Sequence, residues 1–200
     1  MCRATLLDRI VIVKFCTRND TDTQVLCAAK GAAAAVVCDT FVVPAQSGFA
    51  AKDCVAWRMV VMEDLEGEGF VQLGTAHKGF STGELEALRE GLESALRIVH
   101  DADRVFCDVR PPNIMVRRSA SPAPPGGPAA NRVEVRLIDF EFCGPVGAPW
   151  PGVELNPAVK WPFDVPHTGP GQVLRATSQD LLMVDTLMGS LGGSRDGRNL

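Results

Sequence analysis

The chain reads VFCDVRPPNIMV over residues 105–116 and LIDFEFCG over residues 137–144. In the first stretch, Asp108 and Asn113 are separated by a pair of prolines, which stiffen the loop because proline fixes φ and restricts the residue before it. In the second stretch, Asp139 follows an apolar run that is typical of a strand. Antiparallel pairing of this strand with the strand that begins at Asn113 would bring Asp139 close to Asn113.

These side chains combine oxygen ligands with a base and a fixed positive charge. Carboxylate and amide oxygens suit Mg²⁺ that holds substrate phosphates, so we predict Asn113 and Asp139 as metal ligands. Asp108 then remains to accept a proton from a hydroxyl group. Arg110 offers a positive charge to a phosphoryl oxygen, so Asp108 and Arg110 are the predicted catalytic residues.

The pattern Asp-x-x-x-x-Asn after a long helix, followed by a strand that ends in Asp-Phe, resembles the catalytic and metal-binding segments of protein-kinase-like phosphotransferases. The sequence Asp-Phe-Glu at residues 139–141, where Asp-Phe-Gly is usual, resembles divergent small kinases and kinases of the antibiotic or choline type. The resemblance spans about residues 9–187 and is most specific at residues 105–144. It implies ATP and Mg²⁺ as cofactors.

The resemblance also implies an α+β fold, bilobal and protein-kinase-like, with a reduced β-rich N-lobe and a mainly helical C-lobe. The N-lobe with its hinge would comprise residues 1–65, and the C-lobe residues 66–200. Within the C-lobe, residues 117–132 contain four prolines and two glycines and predict a flexible insert. Residues 189–200 predict a loose tail.

The pattern of apolar residues predicts the main elements. Strands are expected at residues 10–13, 57–62, 113–116 and 133–138, and helices at residues 83–99 and 178–188, with an Ala-rich segment at 22–37 that could form a helix interrupted near Gly31. Ser81 and Glu84 have the spacing of a capping box at the start of the longest helix.

By resemblance, three residues would bind the nucleotide. Lys14 looks like the strand lysine that pairs with the α- and β-phosphates, while Glu63 and Leu65 look like the hinge that meets adenine. Asp180, near the start of the last helix, resembles the buried aspartate that braces the catalytic loop.

The chain also departs from the family pattern. Phe106-Cys107 stands where His-Arg or His-Gly is usual. Because only eight residues precede the strand at Arg9, we expect no glycine-rich hairpin over the phosphates. No helix glutamate is an evident partner for Lys14, and Asp22 is the nearest candidate.

The sequence is compatible with three functions. The first is an ATP- and Mg²⁺-dependent transfer of the γ-phosphoryl group to a hydroxyl acceptor, with protein Ser/Thr preferred. The second is a pseudokinase, a non-catalytic binding or scaffold module. The third is a small-molecule kinase of the aminoglycoside or choline type.

Composition sets limits on the partners. With 20 Lys and Arg against 24 Asp and Glu, the net charge is −4, which argues against a nucleic-acid module. The longest apolar stretch, residues 32–38, is too short to span a membrane, and no secretory signal is visible.

Seven widely spaced cysteines and three histidines give little support for a zinc site and predict a reduced intracellular protein, with the cytoplasm as its compartment. The expected partners are ATP and a protein or small-molecule hydroxyl substrate, with neither nucleic acid nor membrane.

Overall fold

The computed structural model describes residues 1–42, 57–76, 79–120, 131–149 and 174–193. Its elements, in chain order, are β1 (Cys2–Leu6), β2 (Arg9–Cys16), α1 (Thr21–Ala29), β3 (Val36–Val42), β4 (Trp57–Glu63), β5 (Val71–Gln72), α2 (Leu73–Ala76), α3 (Thr82–His100), β6 (Arg104–Val105), β7 (Ile114–Ala120), β8 (Asn131–Leu137), β9 (Gly144–Pro145) and α4 (Thr177–Gly193). A single 3₁₀ turn, Pro111–Asn113, precedes β7.

The N-terminal part is a four-stranded antiparallel sheet in the order β1-β2-β4-β3. Its two central strands, β2 and β4, are the β-branched and apolar runs that the sequence predicts as strands. Such residues pack well on a pleated, half-buried surface. The buried side chains of Val60 and Met62 on β4 contribute to a small apolar core with Leu65 and Phe70.

The chain begins with a hairpin that the sequence did not predict. Leu7 and Asp8 join β1 to β2, and both have positive φ, 46° and 63°. Two consecutive left-handed residues are the geometry of a type I′ turn, which usually contains Asn or Gly. A hairpin therefore does precede Lys14, but residues 1–16 contain no glycine, so it is not the glycine-rich hairpin whose absence the sequence predicts.

The Ala-rich segment at residues 22–37 is only partly helical. Helix α1 ends at Ala29, and Gly31 follows with φ +74°, a conformation in which an L side chain is strained. Ala32 and Ala33 then run beside β8, where the Leu137 amide donates to the Ala32 carbonyl at 2.8 Å. The alanines thus join the N-terminal part of the chain to the C-terminal hairpin.

Helix α3 has the amphipathic pattern that the sequence predicts. The capping box is present, because Ser81 accepts a hydrogen bond from the Glu84 amide and Glu84 accepts one from the Ser81 amide. Leu88, Leu92 and Leu96 fall on one face and are fully buried. This face packs on β8 and α4 and forms the centre of the main apolar core.

Strands β7 and β8 form the hairpin that positions the candidate site, with Ile114 opposite Leu137 and Ala120 opposite Asn131. The strands therefore extend into both ends of the predicted 117–132 insert, which corrects that boundary. All four prolines of the insert lie within residues 121–130, outside the described residues. The composition signal belonged to that shorter segment alone.

Helix α4 runs to Gly193, so the predicted loose tail starts too early, and residues 194–200 lie outside the described residues. Met183, Val184 and Leu187 bury one side of α4 in the main core. Gly144 and Pro145 form the short strand β9, which pairs with β6, and residues 150–173 lie outside the described residues. In the part of the chain that is described, no helix is long and apolar enough to cross a bilayer.

Candidate active site

The loop at residues 106–113 is held in place by hydrogen bonds to Asp180. This carboxylate is fully buried and accepts hydrogen bonds from the backbone amides of Phe106 and Cys107, both at 2.8 Å. Cys107 has φ +66°, so the loop turns sharply just before Asp108. The predicted brace is confirmed, and it acts through backbone amides that any residue except proline would supply at positions 106 and 107.

His100 is a second support that sequence reasoning missed. It is the last residue of α3, and its Nε2 lies 2.9 Å from Asp180 Oδ2. In the sequence, His100 has neither the spacing of a metal ligand nor that of a catalytic triad. The two residues are 80 positions apart, and no local pattern links them.

Asp108 and Arg110 form a close pair at the centre of the loop. The Arg110 guanidinium donates from Nε to Asp108 Oδ1, and from Nη2 to Oδ2 at 2.7 Å. Asp108 is 1% exposed. Burial raises the pKa of the Asp108 carboxyl, and Arg110 opposes this, with the balance above the ordinary value. In the structure, Arg110 is therefore hydrogen-bonded to both carboxylate oxygens of Asp108, the candidate base.

Asn113 lies where the loop meets the hairpin. Its side-chain Nδ2 donates to the backbone carbonyl of Asp108 at 3.2 Å, and its backbone carbonyl accepts from the Ile138 amide at 3.0 Å. Asp139 is the next residue after Ile138. The hairpin thus brings Asn113 and Asp139 together, as the sequence predicts.

Lys14 is the cation of the site. Its Nζ lies 2.7 Å from Asp139 Oδ1 and 2.7 Å from Glu141 Oε1, and its side chain is only 6% exposed. Burial alone would lower the pKa of Lys14, but the two carboxylates raise it above the ordinary value, so the amine stays charged. The helix candidate Asp22 is exposed, and the ion pairs that the structure gives Lys14 are to Asp139 and Glu141. Asp22, the nearest candidate in the sequence, is therefore not the partner that the structure gives Lys14.

The donor set fits a magnesium ion that arrives with phosphates. Asn113, whose amide nitrogen is engaged by Asp108, offers its oxygen, and Asp139 offers a carboxylate. Mg²⁺ commonly takes one or two protein ligands of this kind and fills its other positions with water and phosphate oxygens. Among the described residues, no group of three or more His, Cys, Asp or Glu side chains forms a dedicated metal cage.

A cavity of about 290 Å³ opens beside this cluster, between the first hairpin and the segment after β4. Glu63, Leu65 and Asp139 all line it. Its apolar wall includes Ile12, Ala34, Met62, Leu65, Met115 and Ile138. A pocket with apolar walls and a few polar groups at its edge suits a flat heterocyclic base.

The rim of the cavity is pinned by charged groups. The Ala35 amide donates to Glu63 Oε2 at 3.0 Å, and the Glu63 amide donates to the Ala35 carbonyl at 2.9 Å. Arg3 on β1 reaches across to Asp64, with Nε 3.0 Å from Oδ2, and to Glu66, with Nη2 2.8 Å from Oε2. The first strand is thereby tied to the segment after β4.

Comparison with known proteins gives a likeness of fold. No family model matches the chain, and no curated protein matches it. A solved structure described as WaaP in complex with acyl carrier protein matches with a TM-score of 0.50 and 15% identity, over 72% of this chain and 57% of that chain. The yeast RNA Pol II CTD kinase CTDK-1 complex matches with a TM-score of 0.49 and 13% identity, over 96% of this chain and 58% of that chain.

The chain spans less than three-fifths of the length of these solved chains. The first likeness is to a kinase-like structure, and the observed order of an antiparallel N-terminal sheet followed by helices agrees with it. The chain has a kinase-like α+β fold, as the sequence predicts.

Proposed function

We propose that this chain is an ATP- and Mg²⁺-dependent phosphotransferase that moves the γ-phosphoryl group to a hydroxyl acceptor. One observation carries the proposal. The apolar cavity beside Glu63 and Leu65 leads to Asp139, whose carboxylate is paired with the buried Lys14. A base-sized pocket that ends at a cation and a carboxylate is what a nucleoside triphosphate with its metal requires.

The nucleotide would lie along the cavity. The backbone near Glu63 and Leu65 would meet adenine, and Lys14 would pair with the α- and β-phosphates. Asn113 and Asp139 would hold Mg²⁺, which when bound offsets the negative charge of the phosphates. Catalysis of this kind is positioning plus electrostatic stabilisation, and the protein itself forms no covalent bond.

Asp108 would orient the acceptor and take its proton. The acceptor oxygen forms a bond to the γ-phosphorus, the bond from phosphorus to the bridging oxygen breaks, and ADP leaves. The hydroxyl proton goes to the Asp108 carboxylate. Because burial raises the pKa of Asp108, this carboxylate is a better base than an exposed aspartate. Arg110 would then shift from Asp108 toward the transferred phosphoryl group.

The acceptor we favour is a protein Ser or Thr hydroxyl, because the order of segments follows the protein-kinase pattern. A small-molecule hydroxyl of the aminoglycoside or choline type is the other acceptor. Transfer of labelled phosphate to a mixed protein extract, compared with transfer to aminoglycosides and choline, distinguishes the two.

A non-catalytic nucleotide-binding module is the second candidate function. It is favoured by the position of Arg110, which occupies both oxygens of Asp108, and by the first hairpin, which has no glycine to approach a phosphate closely. An Asp108→Asn variant separates the two functions. The enzyme would lose transfer and keep nucleotide binding, whereas the binding module has no transfer to lose.

A thermal melt with and without Mg²⁺ and ATP tests the proposal. Ligand at about 100 times its Kd stabilises a protein by roughly 2.7 kcal/mol. For a chain of this size, that corresponds to a rise in Tm of about 5–10 °C. We expect this rise in the wild-type protein and its loss in Asp139→Asn.

The same melt without ligand is the control, since it shows that the variant is folded. A folded wild-type sample with no rise would contradict the proposal. An equal rise in Asp139→Asn would place the nucleotide elsewhere.

A further inference from the structure

Lys14 takes both of its carboxylate partners from one short segment. Asp139 and Glu141 flank Phe140, and each places an oxygen 2.7 Å from Lys14 Nζ. Glu141 was not among the residues that the sequence singled out for a role. Its side chain is 33% exposed, so its carboxylate remains partly hydrated while it holds a lysine that is almost completely buried.

Helix α1 supplies no acidic partner to Lys14. The polar residues that α1 buries are Thr23 and Gln24, and the side-chain amide of Gln24 is hydrogen-bonded through both its oxygen and its nitrogen. Its Oε1 accepts from Asn19 Nδ2 at 3.0 Å, and its Nε2 donates to the Ala34 carbonyl at 3.2 Å. The acidic residue of the first turn, Asp22, is exposed.

The segment that carries Glu141 is held rigidly. Asp139 has φ +67°, which turns the chain so that both acids reach Lys14. The Phe140 ring is fully buried, with its centroid 5.1 Å from that of Phe106 and its plane nearly perpendicular. The Phe140 carbonyl accepts from the Asp20 amide at 3.1 Å, which ties the segment to the start of α1.

The two carboxylates have different surroundings. Asp139 lines the apolar cavity and is the proposed cation ligand, whereas Glu141 lines a separate polar cavity with Arg18. A cation on Asp139 would weaken the attraction of Asp139 for Lys14, and Glu141 would keep its charge. We infer that Glu141 is the positioning residue that holds Lys14 in place for the nucleotide phosphates, a role that rests on the proposed function.

Two measurements on Glu141→Gln test the inference. The first needs no nucleotide: the rate at which an amine-reactive reagent labels Lys14 in the ligand-free protein, followed by mass spectrometry. Removal of one of the two carboxylates that hold the amine makes it more mobile and more accessible to the reagent, so labelling should be about 3- to 10-fold faster. The second is the Kd for ATP with Mg²⁺, which should be about 5- to 10-fold weaker.

Asp22→Asn is the matched control, since it removes an acid from α1 without touching Lys14, and both measurements should stay at wild-type values. Lys14→Met provides a further test. If Glu141 acts through Lys14, adding Glu141→Gln to Lys14→Met should change the Kd no further. A ligand-free melt confirms that each variant is folded.

The outcomes separate this inference from the proposed function. Unchanged labelling of Lys14 in Glu141→Gln overturns the inference, as does an additive effect on Kd in the double variant. If the wild-type protein does not bind ATP with Mg²⁺, the proposed function fails and the phosphate role of Glu141 fails with it. Faster labelling would in that case still show that Glu141 holds the lysine.

Discussion

Opposing forces act on Asp108. Burial favours the neutral acid, while the Arg110 guanidinium favours the carboxylate, and burial is the larger of the two. Arg110 also experiences this pairing, because its hydrogen bonds to Asp108 raise its own pKa. Arg110 therefore favours the carboxylate form of Asp108, which can act as a base. The same guanidinium covers both oxygens of that carboxylate.

Replacement of Arg110 by Gln tests this balance through the pH dependence of turnover. Arg110 lowers the pKa of Asp108, so its removal lets that pKa rise further. A general base acts only when deprotonated, and activity is lost as the pH falls through its pKa. We expect the acid limb of the kcat/KM profile to move to higher pH in Arg110→Gln.

Asp108→Asn is the control for this profile and should show no transfer at any pH. An acid limb at the same pH in Arg110→Gln and in the wild-type protein would show that Arg110 does not tune the base.

At the scale of elements, α4 supports the candidate loop from a distance. Asp180 stands in its first turn, yet its carboxylate bonds the amides of Phe106 and Cys107 and the ring of His100 at the end of α3. One fully buried side chain thereby joins two helices and a loop. Buried polar groups of this kind are costly when a partner is lost.

Replacement of Asp180 by Asn should destabilise the protein. An asparagine has one acceptor oxygen, and its amide nitrogen would face backbone donors, so at least one buried amide would lose its partner. We expect the free energy of unfolding to fall by about 2–4 kcal/mol, measured by urea denaturation.

Asp185→Asn is the matched control in the same helix. Asp185 is exposed and pairs with Arg89 at the surface, so its replacement should change the free energy of unfolding by at most about 0.5 kcal/mol. A loss in Asp180→Asn no larger than that in Asp185→Asn would show that the hydrogen bonds of Asp180 do not stabilise the fold.

At the scale of the whole molecule, the close approach of α3 to β8 determines how the main core packs. Gly91 lies at this contact, where an added Cβ would be 2.7 Å from Cγ2 of Val135. Valine is stiff at χ1 and cannot easily move aside. The helix and the hairpin are therefore as close as they are because position 91 has no side chain.

Gly91→Ala should destabilise the protein despite the higher helix propensity of alanine. The gain of up to about 1 kcal/mol from propensity is set against an overpacking cost of about 1–3 kcal/mol. We expect a net loss of up to about 2 kcal/mol, measured by urea denaturation.

Gly189→Ala in α4 is the control, because an added Cβ there meets no described atom within 4 Å. It should stabilise the protein by up to about 1 kcal/mol. A stabilising Gly91→Ala would mean that α3 and β8 are farther apart than the structure shows.

The sequence by itself determined the features that are written in short windows. The capping box of α3 and its apolar face follow from residues a few positions apart, because helix periodicity is local. The two strands of the hairpin that joins Asn113 to Asp139 are likewise visible as short apolar runs, and they are neighbours along the chain. The pattern Asp-x-x-x-x-Asn followed by Asp-Phe was enough to predict the kinase-like fold.

The sequence misled where a local signal was absent or ambiguous. The turn at Leu7 and Asp8 has no glycine or asparagine to mark it, so β1 was missed. Alanine favours helices, yet Ala32 and Ala33 pair with β8 because tertiary contacts override propensity.

Only the tertiary structure decided which charged groups meet. Lys14 and Asp139 are 125 residues apart, and His100 and Asp180 are 80 apart. These pairs depend on how the N-terminal sheet and α4 dock around the loop. The placement of Glu141 beside Lys14 depends on it too, since an ion pair forms where the packing of the apolar core brings two side chains together, and no short window of sequence encodes that packing.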